Sequence, residues 1–247
     1  MKISKKKYLD KRKIKIKKII GTSMIDWEGM IISTLYVGGC NFRCPFCYNT
    51  DLVIDSYSLP DIPEENILSF LVERKPFLDG ICLSGGEPTL YADITEFLDT
   101  MKRHKLKIKL DTNGSQTAML EKIIEQGLVD YIAMDIKNCL RTEDYARTIG
   151  VQDKQIITKI KNSIKLIMTS GVDYEFRTTI VPEFHDTEMI ENIAKEIMGA
   201  QKYILQNFIQ SEEMLDPRLK NIKPYSEEKM KDILKRAEPH VQECRIR

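Results

Sequence analysis

Beyond residue 30 the apolar positions fall into two alternating rhythms. Short β-branched runs at 31–37, 80–83, 106–110, 129–134, 172–179 and 203–205 predict six strands. Between them, apolar residues recur at helical spacing over 64–73, 94–103, 119–126, 156–169 and 188–198, and Gly127 and Gly171 mark clear helix stops. Upstream, Ile14 and Ile16 alternate with lysines, which predicts a short edge strand polar on one face. Downstream, a last helix is expected over 226–237 and a final strand over 241–246.

Strands that alternate with helices imply right-handed crossovers and a parallel sheet covered by helices, an α/β fold. Six units are too few for a complete eight-unit barrel, which leaves an open doubly wound sheet or a partial barrel. In either, ligands bind at the C-terminal ends of the strands. No linker, low-complexity stretch or further repeat interrupts the rhythm. The chain therefore reads as a single domain over 1–247, with a basic arm or edge strand at 1–20 and a C-terminal extension at 209–247.

Composition narrows the function classes. The 247 residues carry 38 Lys and Arg against 37 Asp and Glu, 30% charged and 42% hydrophobic, which excludes collagen-like and wholly disordered readings. No apolar stretch approaches the roughly 18 to 20 residues that span a bilayer, and the lysine-rich start lacks the pattern of a secretory signal, so a cytoplasmic protein without a membrane partner is expected. Residues 2–18 hold ten basic residues and one acid, Asp10. A nucleic acid or acidic partner for this arm is weighed against a solvated tail, and the tail is preferred.

Candidate chemistry begins directly after the first main strand, where Cys40, Cys44 and Cys47 are spaced C-x3-C-x2-C behind Gly38-Gly39. One tight loop can thus present three thiolates to a single centre, and three ligands leave an open coordination position. Zinc usually draws on C-x2-C knuckles with a fourth ligand, but His104, His185 and His240 are remote in sequence. An iron–sulfur cluster is the better reading. Cys82, Cys139 and Cys244 are scattered and read as buried structural cysteines.

Other candidates recur at the same strand ends. Ser84-Gly85-Gly86-Glu87-Pro88 is a glycine turn whose backbone can approach a small ligand. Asp111-Thr112-Asn113-Gly114 and Met134-Asp135-Ile136-Lys137 bring two carboxylates to one sheet edge, where a cation, hydroxyls or an ammonium must neutralise them unless each merely caps the next helix. Arg177, inside the fifth main strand, implies a carboxylate partner. His185 follows the Val181-Pro182 turn and reads either as facing the cleft or as an ordinary satisfied histidine.

Together, residues 39–49, 84–89, 110–114, 130–137, 174–182 and 203–208 resemble the glycyl-radical-enzyme activating enzymes of the radical S-adenosylmethionine (SAM) superfamily. They are most like the archaeal and anaerobe variant of the anaerobic ribonucleoside-triphosphate reductase activating proteins. The resemblance covers most of 22–208 and implies a partial (βα)6 barrel holding a [4Fe–4S] cluster on Cys40, Cys44 and Cys47. SAM would chelate the fourth iron. Gly85, Gly86 and Glu87 would hold its amine. Asp111, Asn113 and Lys137 would lie around ribose and carboxylate, Phe46 and Asn49 near adenine, and Arg177 opposite the carboxylate. Asp111, Thr112, Met134 and Asp135 would frame a monovalent cation. Tyr48 and Phe208 stand where relatives place histidines.

The resemblance further implies reductive cleavage of SAM, with an electron from flavodoxin or ferredoxin, to a 5′-deoxyadenosyl radical. That radical would take a hydrogen from a glycine α-carbon of a protein partner, and no general base is required. The reading competes with two others: a radical SAM enzyme acting on a peptide, tRNA or small metabolite, and a non-catalytic iron–sulfur or zinc module.

Overall fold

A computed structural model describes residues 13–247, and the part of the basic arm before Lys13 lies outside the described residues. Its strands are β1 (Ile16–Ser23), β2 (Ile32–Val37), β3 (Gly80–Gly85), β4 (Lys107–Thr112), β5 (Tyr131–Asp135), β6 (Asp173–Ile180), β7 (Tyr203–Asn207) and β8 (Cys244–Ile246). They form one sheet whose strand order equals chain order. β1 is antiparallel to β2 and every later pair is parallel. The helices are α1 (Thr50–Ile54), α2 (Glu64–Arg74), α3 (Ile94–Arg103), α4 (Thr117–Glu125), α5 (Thr142–Ile149), α6 (Ile156–Thr169), α7 (Thr187–Glu196) and α8 (Glu227–Ala237).

The six expected strands correspond to β2 through β7, the partial barrel. The edge strand expected around Ile14 and Ile16 is β1. The final strand is shorter than its apolar pattern suggests, because residues 238–240 form a 3-10 turn and β8 begins only at Cys244. Two helices were not anticipated. α1 is a five-residue turn, and α5 has the polar sequence TEDYARTI, whose buried residues Tyr145, Ala146, Thr148 and Ile149 make a narrow stripe easily read as loop.

Strand alternation sorts side chains between two very different environments. Ile108, Leu110, Ile132 and Phe176 are wholly buried in the apolar core. The opposite faces line the barrel lumen, where Lys109, Asp111, Glu175 and Arg177 meet. Lys109 Nζ lies 3.5 Å from Glu175 Oε1 and 3.7 Å from Asp111 Oδ1. Buried like charges would be costly, and here β4 and β6 each carry one charge of either sign, so that Lys109 faces Glu175 and Asp111 faces Arg177.

The turn between β1 and β2 lies across the N-terminal ends of the strands. Asp26 lends its carbonyl to Lys109 Nζ and accepts at Oδ2 from Thr34 Oγ1 at 2.6 Å. Trp27 packs on Tyr131 with ring centroids 5.6 Å apart, and Arg245 Nη1 donates to Glu28 Oε1 at 2.8 Å. Arg247 adds paired contacts of 3.2 Å to both oxygens of Glu175. The segment after β7 returns over the other end, where Asp216 N donates to Pro45 O at 2.9 Å.

Candidate active site

β2 ends at Val37, and the chain turns through Gly39 at φ +80° into the cysteine loop. The loop is pinned by backbone contacts on several sides. Glu87 N donates to Gly39 O at 2.9 Å and Arg43 N to Ile149 O at 2.7 Å, which makes α5 a buttress. Gly86 passes so close that a Cβ there would sit 1.8 Å from Gly39 O. Only glycine permits this approach.

One cleft opens at the C-terminal strand ends. The side chains of Cys40, Cys44 and Cys47 line it with Phe46 and Asn49 on the loop side, and Gly85 and Gly86 on the β3 side. Asp111, Thr112 and Asn113 reach it from β4, Asp135 and Lys137 from β5, and Arg177 from β6. Arg177 Nε donates to Asp135 Oδ1 at 2.9 Å and Nη1 to Asp111 Oδ2 at 3.3 Å, while Lys137 Nζ donates to Asp135 Oδ2 at 2.9 Å. Burial alone would raise the Asp135 pKa, but the Arg177 and Lys137 charges hold it far below the usual carboxylate range. Lys137 is correspondingly raised: burial opposes its charge and Asp135 more than compensates.

Residues 34–197 match the family model of the Radical SAM superfamily. The chain belongs to that superfamily. A protein of Methanocaldococcus jannaschii assigned by name as a glycyl-radical enzyme activating enzyme is 31% identical over 233 residues, 93% of this chain and 94% of that protein. The pyruvate formate-lyase-activating enzyme of Clostridium pasteurianum is 26% identical over 236 residues, covering 90% and 95%. Among solved structures, Streptococcus suis SuiB bound to S-adenosylmethionine superposes with a TM-score of 0.59 at 16% identity, over 85% of this chain and 48% of that one. The last likeness speaks for the fold.

Radical SAM enzymes use a [4Fe–4S] cluster and S-adenosylmethionine. The donor set of this cleft fits such a group. Its three cysteines are of the residue type that holds iron–sulfur clusters, as thiolates. Burial pushes the Cys40 and Cys44 thiols up to about 12, so both are protonated until a metal displaces the proton. Asp111 Oδ1 is buried without a hydrogen-bond partner and faces Lys109 Nζ at 3.7 Å in the lumen.

One expectation for this radical SAM site changes. Glu87 does not face the cleft: its carboxylate is wholly buried, with Oε1 accepting from Thr89 N at 3.1 Å and Thr112 Oγ1 at 2.8 Å, and Oε2 from Asn113 N at 2.6 Å. It braces the β3 turn against the β4 turn. Of the residues expected around a cation, Thr112 donates its hydroxyl to Glu87, and the Met134 side chain is buried beneath Gly114, where a Cβ would lie 2.1 Å from Met134 Cε. The positive charge between Asp111 and Asp135 is the Arg177 guanidinium, so Arg177 pairs with protein carboxylates.

Sequence reasoning overlooked Lys109 and Glu175, the lumen pair beneath the cleft. Their one signal is a charge at the centre of a strand otherwise built for burial on both faces. It also separated Tyr48 from Phe208, which the fold stacks with centroids 6.5 Å apart. Tyr48 Oη is anchored at both ends of one residue, donating to Ile209 O at 2.6 Å and accepting from Ile209 N at 2.8 Å.

Proposed function

We propose that this protein activates a glycyl radical enzyme, with anaerobic ribonucleoside-triphosphate reductase as the partner and flavodoxin or ferredoxin as the cytoplasmic reductant. The observation that carries the reading is the cleft itself: three cysteines at the end of β2 share it with the Gly85-Gly86 edge, Asp111, Lys137 and Arg177. The near full-length similarity to activating enzymes supports the protein-directed version over peptide, tRNA or metabolite chemistry.

In this reading Cys40, Cys44 and Cys47 hold the cluster. When bound, cluster and SAM together supply the one-electron cleavage whose radical product takes a hydrogen atom from the partner's glycine. The chain's own residues hold and orient. Lys137 offers its ammonium to the methionyl carboxylate, and Asp111 stands on the cleft wall beside the methionyl amine or a ribose hydroxyl. The backbone of Gly85 and Gly86 borders that end, with Asn113 beside Cys40, its Nδ2 3.8 Å from Sγ. Phe46, packed on Phe184 at 5.8 Å, and Asn49 border the adenine. Arg177 neutralises Asp111 and Asp135 from between them.

The test is anaerobic reconstitution of the cluster, addition of dithionite and SAM, and quantification of 5′-deoxyadenosine against a Cys40→Ala, Cys44→Ala, Cys47→Ala triple variant. Mixing with the candidate reductase then asks for a glycyl doublet by electron paramagnetic resonance. Formation of 5′-deoxyadenosine without that doublet would retain the chemistry and refute the partner.

A further inference from the structure

Lys137 sits just past the point where the sheet stops providing hydrogen bonds. Ile136 is still in the ladder, its N–H donating to Arg177 O at 2.8 Å and its carbonyl accepting from Thr178 Oγ1 at 2.8 Å. Beyond it the strand partner is lost. A buried carbonyl left without a donor costs about 1–3 kcal/mol, so Lys137 O needs another source.

His185 provides it. The ring is buried, Nε2 lies 2.8 Å from Lys137 O, and Nδ1 accepts from Val181 N at 3.0 Å. An N–H pointing at Nδ1 leaves the proton on Nε2, which makes the ring a donor to Lys137. Burial depresses the ring's basicity to about 4, so it is neutral at physiological pH. The surroundings hold the ring firmly. Tyr225 Oη donates to His185 O at 2.8 Å, and Asn138 Nδ2 donates to Phe184 O at 3.1 Å, tying the turn after β5 to the turn after β6. On its amide side, Lys137 N donates to Tyr145 Oη at 3.4 Å.

We infer that His185 is a positioning residue: by fixing the Lys137 main chain it sets where the Lys137 ammonium stands against Asp135 and the cleft. A lysine carries its charge on a flexible four-carbon stem, so the anchor of its backbone decides the volume the ammonium can search. The inference rests on the reading above that Lys137 meets the SAM carboxylate, and it assigns to His185 the work of preorganising that contact.

Two substitutions separate the ring's two bonds. In His185→Asn the side-chain oxygen takes the place of Nδ1 for Val181, but the amide nitrogen is too short for Lys137 O. In His185→Gln the amide nitrogen extends as far as Nε2. SAM affinity is measured on the reconstituted holoprotein by anaerobic calorimetry, with melting curves confirming that each variant is folded. His185→Asn should weaken SAM binding about tenfold, the worth of one hydrogen bond, and raise KM with kcat for 5′-deoxyadenosine changed less than about twofold. His185→Gln should recover most of the affinity. In a Lys137→Met background His185→Asn should have no further effect, a non-additivity that general destabilisation would not produce.

Equal affinity of His185→Asn and wild type overturns the inference, as does a full additional loss in the Lys137→Met background. A wild-type holoprotein that binds no SAM is a different failure: it overturns the proposed function, and the role of His185 falls with it.

Discussion

The guanidinium of Arg177 is joined to Asp135 by an Nε-to-Oδ1 hydrogen bond of 2.9 Å, in a site where both side chains are largely shielded from water. The same head reaches Asp111, so one cation serves two carboxylates from neighbouring strands. Arg177→Met removes that cation and leaves the pair facing each other. The variant should lose about 3 kcal/mol or more of unfolding free energy, measured by denaturant titration, and Asp135→Asn added to it should restore part of the loss. An Arg177→Met protein as stable as wild type would show that water screens the aspartates.

Cluster loading should separate the six cysteines cleanly. Cys40→Ala, Cys44→Ala and Cys47→Ala should each lose bound iron and visible charge-transfer absorbance after reconstitution, and make no 5′-deoxyadenosine. Cys244→Ala, in the edge strand β8, should keep both. Iron retained at full stoichiometry in any of the three loop variants would remove that cysteine from the ligand set.

Gly86→Ala should cost far more than an ordinary glycine substitution. Its new methyl would meet the backbone of Gly39 at 1.8 Å, and a backbone atom cannot swing aside as a side chain can. Reconstituted iron should fall below about half of wild type as the cysteine loop is displaced. Gly127→Ala, with nothing within 4 Å but φ at +63°, serves as the control. It should lose only about 1 kcal/mol through its left-handed backbone and load iron fully.

Stability should depend on pH through His185. Burial pushes its folded-state value down to about 4 from the ordinary 6.5. Between those values the unfolded chain binds a proton that the folded chain refuses. The stabilisation is therefore complete above about pH 6.5 and is lost as pH falls towards 4. Lowering pH from 7 to 5 should reduce the unfolding free energy of wild type by roughly 2 kcal/mol more than that of His185→Asn. Parallel pH curves for the two proteins would contradict the neutral buried ring.

Much of the site was legible because its parts are local. Cys40, Cys44 and Cys47 lie within one loop, and the strand before them is marked by Ile31, Ile32, Thr34 and Val37, so both the spacing and its place at a strand end could be read directly. Asp111, Lys137 and Arg177 also sit at or near strand ends, where the fold class alone directs ligands. The direction in which a side chain leaves a turn is another matter. Glu87 follows two glycines that shape the cleft, yet its carboxylate caps the next turn at Thr89 and folds back to Thr112 and Asn113, and the last two become neighbours only when β3 and β4 are in register. The pairing of Lys109 with Glu175 spans the intervening β5, and the stacking of Tyr48 on Phe208 spans most of the barrel. No local pattern encodes such distances.

The three cysteines, Gly85, Gly86, Asp111, Lys137 and Arg177 all open into one cleft at the C-terminal strand ends. In the proposed reading that cleft holds SAM and also meets the protein partner, so the two compete for the same approach. A small molecule seated in the cleft must arrive before a protein partner covers the opening, and its fragments can leave only after that partner has moved off. Steady-state kinetics with both substrates should therefore be ordered, with the small molecule first on and last off. Turnover then becomes sensitive to how quickly the two proteins separate.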